Sequence, residues 1–214
     1  MEPAAVIFDN DGLLLDTESV WTRGEEDLFR RRGLEFTLEH KRELVGTSAQ
    51  MAGRILARQL GEQGTDADLI AELDALVVEE LERGVRPLPG AVELVAELQE
   101  RGVRTGVVSN SPLPFITRAL ELGGLDGFEA VVSGHDVPAP KPAPDAYLAA
   151  CDELGIAPAR EVVAFEDSPT GVAAARAAGL TVIGIPSLAG VELDEAHEVY
   201  GSLAETRLRA RLGL

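Results

Sequence analysis

The 214-residue chain predicts an α/β fold, a doubly wound parallel sheet with an α-helical block inserted after its first strand. Three observations carry this. An apolar run over residues 4–8 reads as a buried parallel strand, and it stops abruptly at Asp9-Asn10-Asp11-Gly12. Residues 17–86 place apolar side chains at helical spacing and lack strand-like alternation. From Gly90 onward, short apolar strands alternate with helical patterns, the signature of right-handed βαβ units with a sheet covered on both faces. The division expected is a core domain of residues 1–16 and 87–214 and a helical domain of residues 17–86, with linkers at 13–16 and 85–89.

Each element has a local reason. Thr17 is placed to cap the first helix of the insert. Val20, Trp21, Leu28 and Phe29, then Met51, Ile55, Leu56 and Leu60, recur at helical spacing. Gly33, Gly46, Gly61 and Gly64 cut the block into four helices, the last carrying Leu69, Leu73, Leu76, Val77 and Leu81. In the second half a helix over 91–100 is stopped by Gly102, a strand covers 104–109, and a helix over 113–122 is stopped by Gly123-Gly124. A short strand at 130–132 leads into a Pro-rich loop at 137–142. A helix at 143–154, a strand at 162–165, an Ala-rich helix at 168–178, a strand at 180–185 and a closing helix at 203–212 complete the pattern.

Composition narrows the function. Asp plus Glu number 37 against 19 Lys plus Arg, a formal charge of −18, which repels nucleic acid and anionic membranes. A site for an anionic substrate therefore needs local positive charge from a side chain or a metal. The single Cys151 excludes an intrachain disulfide and sits among apolar neighbours, as a core residue would. The N-terminal residues carry no targeting pattern, and no run approaches the ~18 apolar residues of a membrane span. The expectation is a cytoplasmic protein.

Polar residues cluster where strands end. They are Asp9 and Asp11, Ser109-Asn110-Ser111, Lys141 in the Pro-rich loop, and Glu166-Asp167-Ser168. Each has an ordinary reading: Asp-Asn-Asp-Gly is turn chemistry, Ser109 and Ser168 suit helix N-caps, Lys141 suits a solvated loop, and Glu166-Asp167 favours a helix N-terminus. Yet ligands of open parallel sheets bind outside the carboxyl ends of the strands, and all these groups converge there. Phosphoryl transfer explains the combination. A carboxylate attacks phosphorus and forms an aspartyl phosphate, while a divalent cation and a fixed cation neutralise the charge. Asp9 and Asp167 suit Mg²⁺, Lys141 supplies the second positive charge, Ser109 donates to phosphate oxygens, and Asp11 serves as acid and base at the leaving oxygen.

The stretches FDNDG, VVSNS, APKPAPDAYL and FEDSPTG resemble the four motifs of the haloacid dehalogenase (HAD) superfamily, in the subgroup containing β-phosphoglucomutase and small sugar-phosphate phosphatases. The resemblance spans essentially the whole chain. It implies a Rossmann-like core, with Asp9 as nucleophile and Asp11 as acid/base. It further implies that Mg²⁺ is held by the Asp9 carboxylate, the Asp11 backbone carbonyl and Asp167, with Glu166 in or beside that shell. Ser109 and Asn110 would hold phosphate, and Lys141 would bridge phosphate and nucleophile. The helical insert would be a mobile cap that excludes water.

Departures from the pattern narrow the choice. Dehalogenases lack the second aspartate, and Asp11 is present here. Phosphosugar mutases of this family carry a cap histidine and a cap-loop arginine, where this chain has Trp21 and Ala49. Glu18-x-x-Trp21 resembles hexose-phosphate phosphatases, with Trp21 either stacking on a sugar face or packing within the insert. Glu18, Trp21, Thr47 and Gln50 are the cap contacts expected. The leading expectation is a monomeric phosphatase for a small sugar or polyol phosphate ester. A β-phosphoglucomutase-type mutase is the alternative. A receiver-like phosphoaccepting module is more remote, because it needs neither a large insert nor an acid/base at Asp11.

Overall fold

The computed structural model describes residues 3–44, 49–187 and 190–214. Its centre is a six-stranded, all-parallel sheet in the order β3-β2-β1-β4-β5-β6. The strands are β1 (Ala5–Phe8), β2 (Arg104–Ser109), β3 (Ala130–Ser133), β4 (Val162–Glu166), β5 (Thr181–Gly184) and β6 (Glu198–Val199). Five of them fall where the apolar runs predict. β6 was not expected, because two residues are too few to express a period. All four residues of β1 are buried, as a central parallel strand requires, with Phe8 level with Val107 on one side and Phe165 on the other.

Strand order reverses at β1: the chain builds outward through β2 and β3, then crosses back to β4 on the opposite side. Such a switch opens a crevice at the carboxyl ends of the strands. Helices α5 (Ala91–Glu100), α6 (Leu113–Leu122), α7 (Asp145–Glu153) and α8 (Pro169–Ala177) make the crossovers, and α9 (Thr206–Leu212) closes the chain. On one face Ala5, Ile7, Val108, Ala164 and Val182 form a single core with Tyr147, Ala150 and Cys151 of α7 and Val172 and Ala175 of α8. Small residues on α8 let it lie close to the sheet. Phe8 points the other way along the pleat, and its ring stacks on Phe165 at 5.2 Å between centroids. Cys151 is buried and unpaired, as its sequence context predicts.

The chain divides into two compact units, residues 1–16 with 86–214, and residues 17–85. The second unit contains α1 (Thr17–Arg30), α2 (Leu38–Leu44), α3 (Ala49–Leu60) and α4 (Asp66–Glu82). Val20, Leu28 and Phe29 of α1 are buried, as are Leu69, Leu73, Leu76 and Val77 of α4. Gly24 gives α1 its close approach to α4, since a Cβ there would stand 2.7 Å from a Val77 methyl carbon. Thr17 is not the cap its position suggested. It is the first residue of α1, and its hydroxyl is buried without a hydrogen-bond partner among the described residues. In the first unit, the segments on either side of the insert pair with each other. Asp16 N–H donates to Arg86 O and Leu88 N–H to Leu14 O, both at 2.9 Å, making a short antiparallel ribbon.

Candidate active site

The working residues arise from three strand ends and one loop. Asp9 follows β1 and stays on the ladder, its N–H donating to Phe165 O at 2.9 Å. Ser109 closes β2, Glu166 closes β4, and Lys141 comes from the loop before α7. Because β1 lies between β2 and β4, the parallel register delivers these side chains to one place.

Lys141 is the hub. Its ammonium is almost wholly buried and lies 2.6 Å from Asp9 Oδ1, 2.6 Å from Glu166 Oε1 and 2.9 Å from Val108 O. The buried Tyr147 hydroxyl donates to the same Glu166 oxygen at 2.5 Å, and its ring lies 5.2 Å from the Lys141 nitrogen. Burial works against the Lys141 charge, but Asp9 and Glu166 outweigh it and hold its pKa above the ordinary lysine value. Burial pushes the Asp9 carboxyl well above the usual carboxylate range despite the pull of Lys141. A lysine held this way is a fixed positive charge.

Glu166 depends on a missing side chain. A Cβ on Gly171, in the first turn of α8, would stand 1.9–2.1 Å from the Glu166 carboxylate. Ser168 caps α8, accepting from Gly171 N–H at 3.1 Å, which confirms the ordinary reading of that serine. Asp167 has a different hydrogen-bond partner. Its Oδ2 accepts from Ser187 Oγ at 2.6 Å, and burial raises its pKa to about 7.

Asp11 sits among donors. The hydroxyls of Ser109 and Ser111 both donate to its Oδ2, the latter at 2.9 Å, and Asn10 Nδ2 donates to its Oδ1 at 3.1 Å. Asn10, which had no expected task, also accepts from Leu14 and Leu15 N–H through its carbonyl, closing the turn after β1. Ser109 is therefore no N-cap; Pro112 fills that position in α6. Asn110 was expected to hold phosphate, but both ends of its amide are engaged by the Lys141 backbone. Oδ1 accepts from Lys141 N–H at 3.0 Å, and Nδ2 donates to Lys141 O at 3.2 Å. Its side chain positions the loop that carries the lysine.

The donor set suits a hard divalent cation. One oxygen from each of Asp9, Glu166 and Asp167 lies within 4.8 Å of the others. Asp9 Oδ2 is buried and has no hydrogen-bond partner among the described residues, a costly state that a cation would relieve. An excess of carboxylates around one ammonium points the same way. In the helical unit, Glu18 is exposed on α1, Trp21 is half-buried one turn later, and Gln50 is exposed on α3. Lys41 lies 3.4 Å from Glu18 and 2.8 Å from the buried Glu25. Thr47 lies outside the described residues.

Sequence reasoning overlooked Tyr147, Gly171 and Ser187, and it named Ser111 without giving it a role. Ser111 stood in a motif already singled out, and its parity with Ser109 along an extended strand end was an available signal. Tyr147 reads as one more apolar helix position.

Fold and site together define an α/β enzyme with a cluster of carboxylates and one lysine at the carboxyl end of its central strand. The chain belongs to the haloacid dehalogenase-like hydrolases, whose family model matches residues 3–179. It is 33% identical to hexitol phosphatase B of Escherichia coli K12 over 188 residues, covering 86% of this chain and 83% of that protein. It is 32% identical to validoxylamine A 7'-phosphate phosphatase of Streptomyces hygroscopicus subsp. limoneus over 207 residues, 94% of each chain. The crystal structure of CbbY from Rhodobacter sphaeroides with phosphate superimposes with a TM-score of 0.80 at 29% identity, over 95% of this chain and 96% of that one. Among the described residues, no helix is long and apolar enough to cross a membrane.

Proposed function

We propose that the chain is a Mg²⁺-dependent phosphatase that hydrolyses a small sugar or polyol phosphate through an aspartyl phosphate on Asp9. The observation that carries this is the state of Asp9. One oxygen is held by a buried lysine and the other has no hydrogen-bond partner among the described residues, at the end of the central strand beside Asp11. The hexitol phosphatase among the relatives supports the substrate class.

The chemistry follows from the residues present. Asp9 attacks phosphorus while Asp11 gives a proton to the ester oxygen, the P–O bond breaks, and the alcohol departs. Asp11 then takes a proton from water, whose oxygen attacks the same phosphorus, releasing inorganic phosphate and restoring Asp9. Lys141 keeps Asp9 oriented and offsets charge on the transferring group. Ser109, which donates to Asp11 in this structure, turns its hydroxyl to a phosphate oxygen when substrate binds. Asp9, Asp167 and the Asp11 carbonyl would hold Mg²⁺, with Glu166 beside them; when bound, the ion supplies positive charge against the phosphate oxygens. Substrate choice falls to the helical insert as a cap, with Glu18, Trp21, Thr47 and Gln50 as its contacts.

The test is phosphate release from a panel of esters with Mg²⁺ or with EDTA, for wild type and Asp9→Asn. Turnover of hexose or hexitol phosphates that needs Mg²⁺ and vanishes in the variant is expected. Turnover surviving in Asp9→Asn, or absent from wild type on every ester, would sink the proposal.

A further inference from the structure

The Asp167 carboxylate is fixed from two sides by groups to which no role above has been given. Ser187, in the loop after β5, donates its hydroxyl to Oδ2 at 2.6 Å. Gly12 presses on the same oxygen from the turn after β1. Its φ is +82°, and a Cβ there would stand 2.5 Å from Asp167 Oδ2 and 3.2 Å from Ser187 Oγ. Oδ2 is thus enclosed by a hydroxyl and a bare α-carbon, and the described residues give Oδ1 no hydrogen bond. A donor on one oxygen of a metal-binding carboxylate sets its rotamer and leaves the other oxygen for the ion. The second independent sign of a ligand is the buried, unpartnered Asp9 Oδ2 in the same cluster.

We propose that Ser187 is a positioning residue for divalent metal, acting through Asp167, and that the loop after β5 thereby sets the affinity of the site. This rests on the reading of Asp9 and Asp167 as Mg²⁺ ligands. Removal of such an outer partner lowers metal affinity by about 10–100-fold. Ser187 is exposed, so Ser187→Ala should fold normally.

Mg²⁺ binding is measured by calorimetry on wild type, Ser187→Ala, Ser187→Thr and Asp167→Asn, each stripped with EDTA. Phosphate release is then followed as a function of Mg²⁺. Ser187→Ala should raise the Mg²⁺ dissociation constant about tenfold or more, with kcat at saturating Mg²⁺ within about twofold of wild type. Ser187→Thr, which keeps the hydroxyl, should restore the affinity. Equal affinity in Ser187→Ala and wild type, with binding lost in Asp167→Asn, would overturn the role of Ser187 and leave the metal reading standing. Undiminished binding in Asp167→Asn would overturn both. A fall in kcat at unchanged affinity also refutes the inference.

Discussion

Replacing Lys141 by Met tests whether the lysine holds the core of the site together. The side chain is similar in length, so the main change is loss of the ammonium. In wild type that ammonium is almost wholly buried at 2.6 Å from both Asp9 and Glu166. Without it two buried carboxylates face each other, and breaking a buried pair by removing one partner costs roughly 3–5 kcal/mol. For a protein of this size that corresponds to a fall in Tm of roughly 6–20 °C. The deficit should depend on pH. Burial already raises the Asp9 carboxyl, and Lys141 is the group that pulls it back. A carboxyl with a raised folded pKa contributes stability below its unfolded pKa of about 4 and loses it as pH rises through the folded value. The variant should therefore be closest to wild type near pH 5 and furthest from it near pH 8. Urea melts in EDTA at the two pH values measure this. A loss under about 1 kcal/mol, or an equal loss at both, would refute the reasoning.

Two further outcomes follow from the structure. Gly171→Ala should displace Glu166 from Lys141 and Tyr147, because the new Cβ would fall 1.9–2.1 Å from the carboxylate. A loss of about 1–3 kcal/mol together with most of the phosphatase activity is expected from urea melts and ester assays, and a fully active, equally stable variant would contradict the packing. His197 Nδ1 accepts from Val182 N–H at 3.0 Å, and burial with Arg176 and Arg160 nearby lowers its pKa below the ordinary 6.5. The folded state thus favours the neutral ring, so its contribution is intact above about pH 6.5 and declines as pH falls toward the lower folded value. Wild type should lose stability relative to His197→Gln between about pH 7 and pH 5, and parallel curves would disprove it.

The parallel sheet was legible because every residue of β1 and β4 is buried, so burial and sequence tell the same story. Asp9 and Asp11 stood out for the converse reason, as charges set at the end of an apolar run. Lys141 gave no such sign. A lysine in a Pro-rich loop looks solvated, and only its company with the other strand ends and the resemblance of the motifs pointed to it. What escaped notice depends on distance through space. The Tyr147 hydroxyl meets Glu166 across 19 residues, and Ser187 meets Asp167 across 20, with no local pattern to mark either. Asn110 was recognised, but sequence alone does not say that its amide faces the Lys141 backbone rather than a ligand.

The central position of β1 has a consequence for how the protein is born. Both of its neighbours, β2 and β4, lie far downstream, beyond the helical insert. At ~5–20 residues per second, the roughly one hundred residues between β1 and β2 take about 5–20 s to synthesise. Throughout that interval the apolar Ala5–Phe8 segment has neither of its neighbouring strands to pair with. The nascent chain must carry its future centre unpartnered on the ribosome, where chaperones and the emerging helices are the surfaces available to shield it.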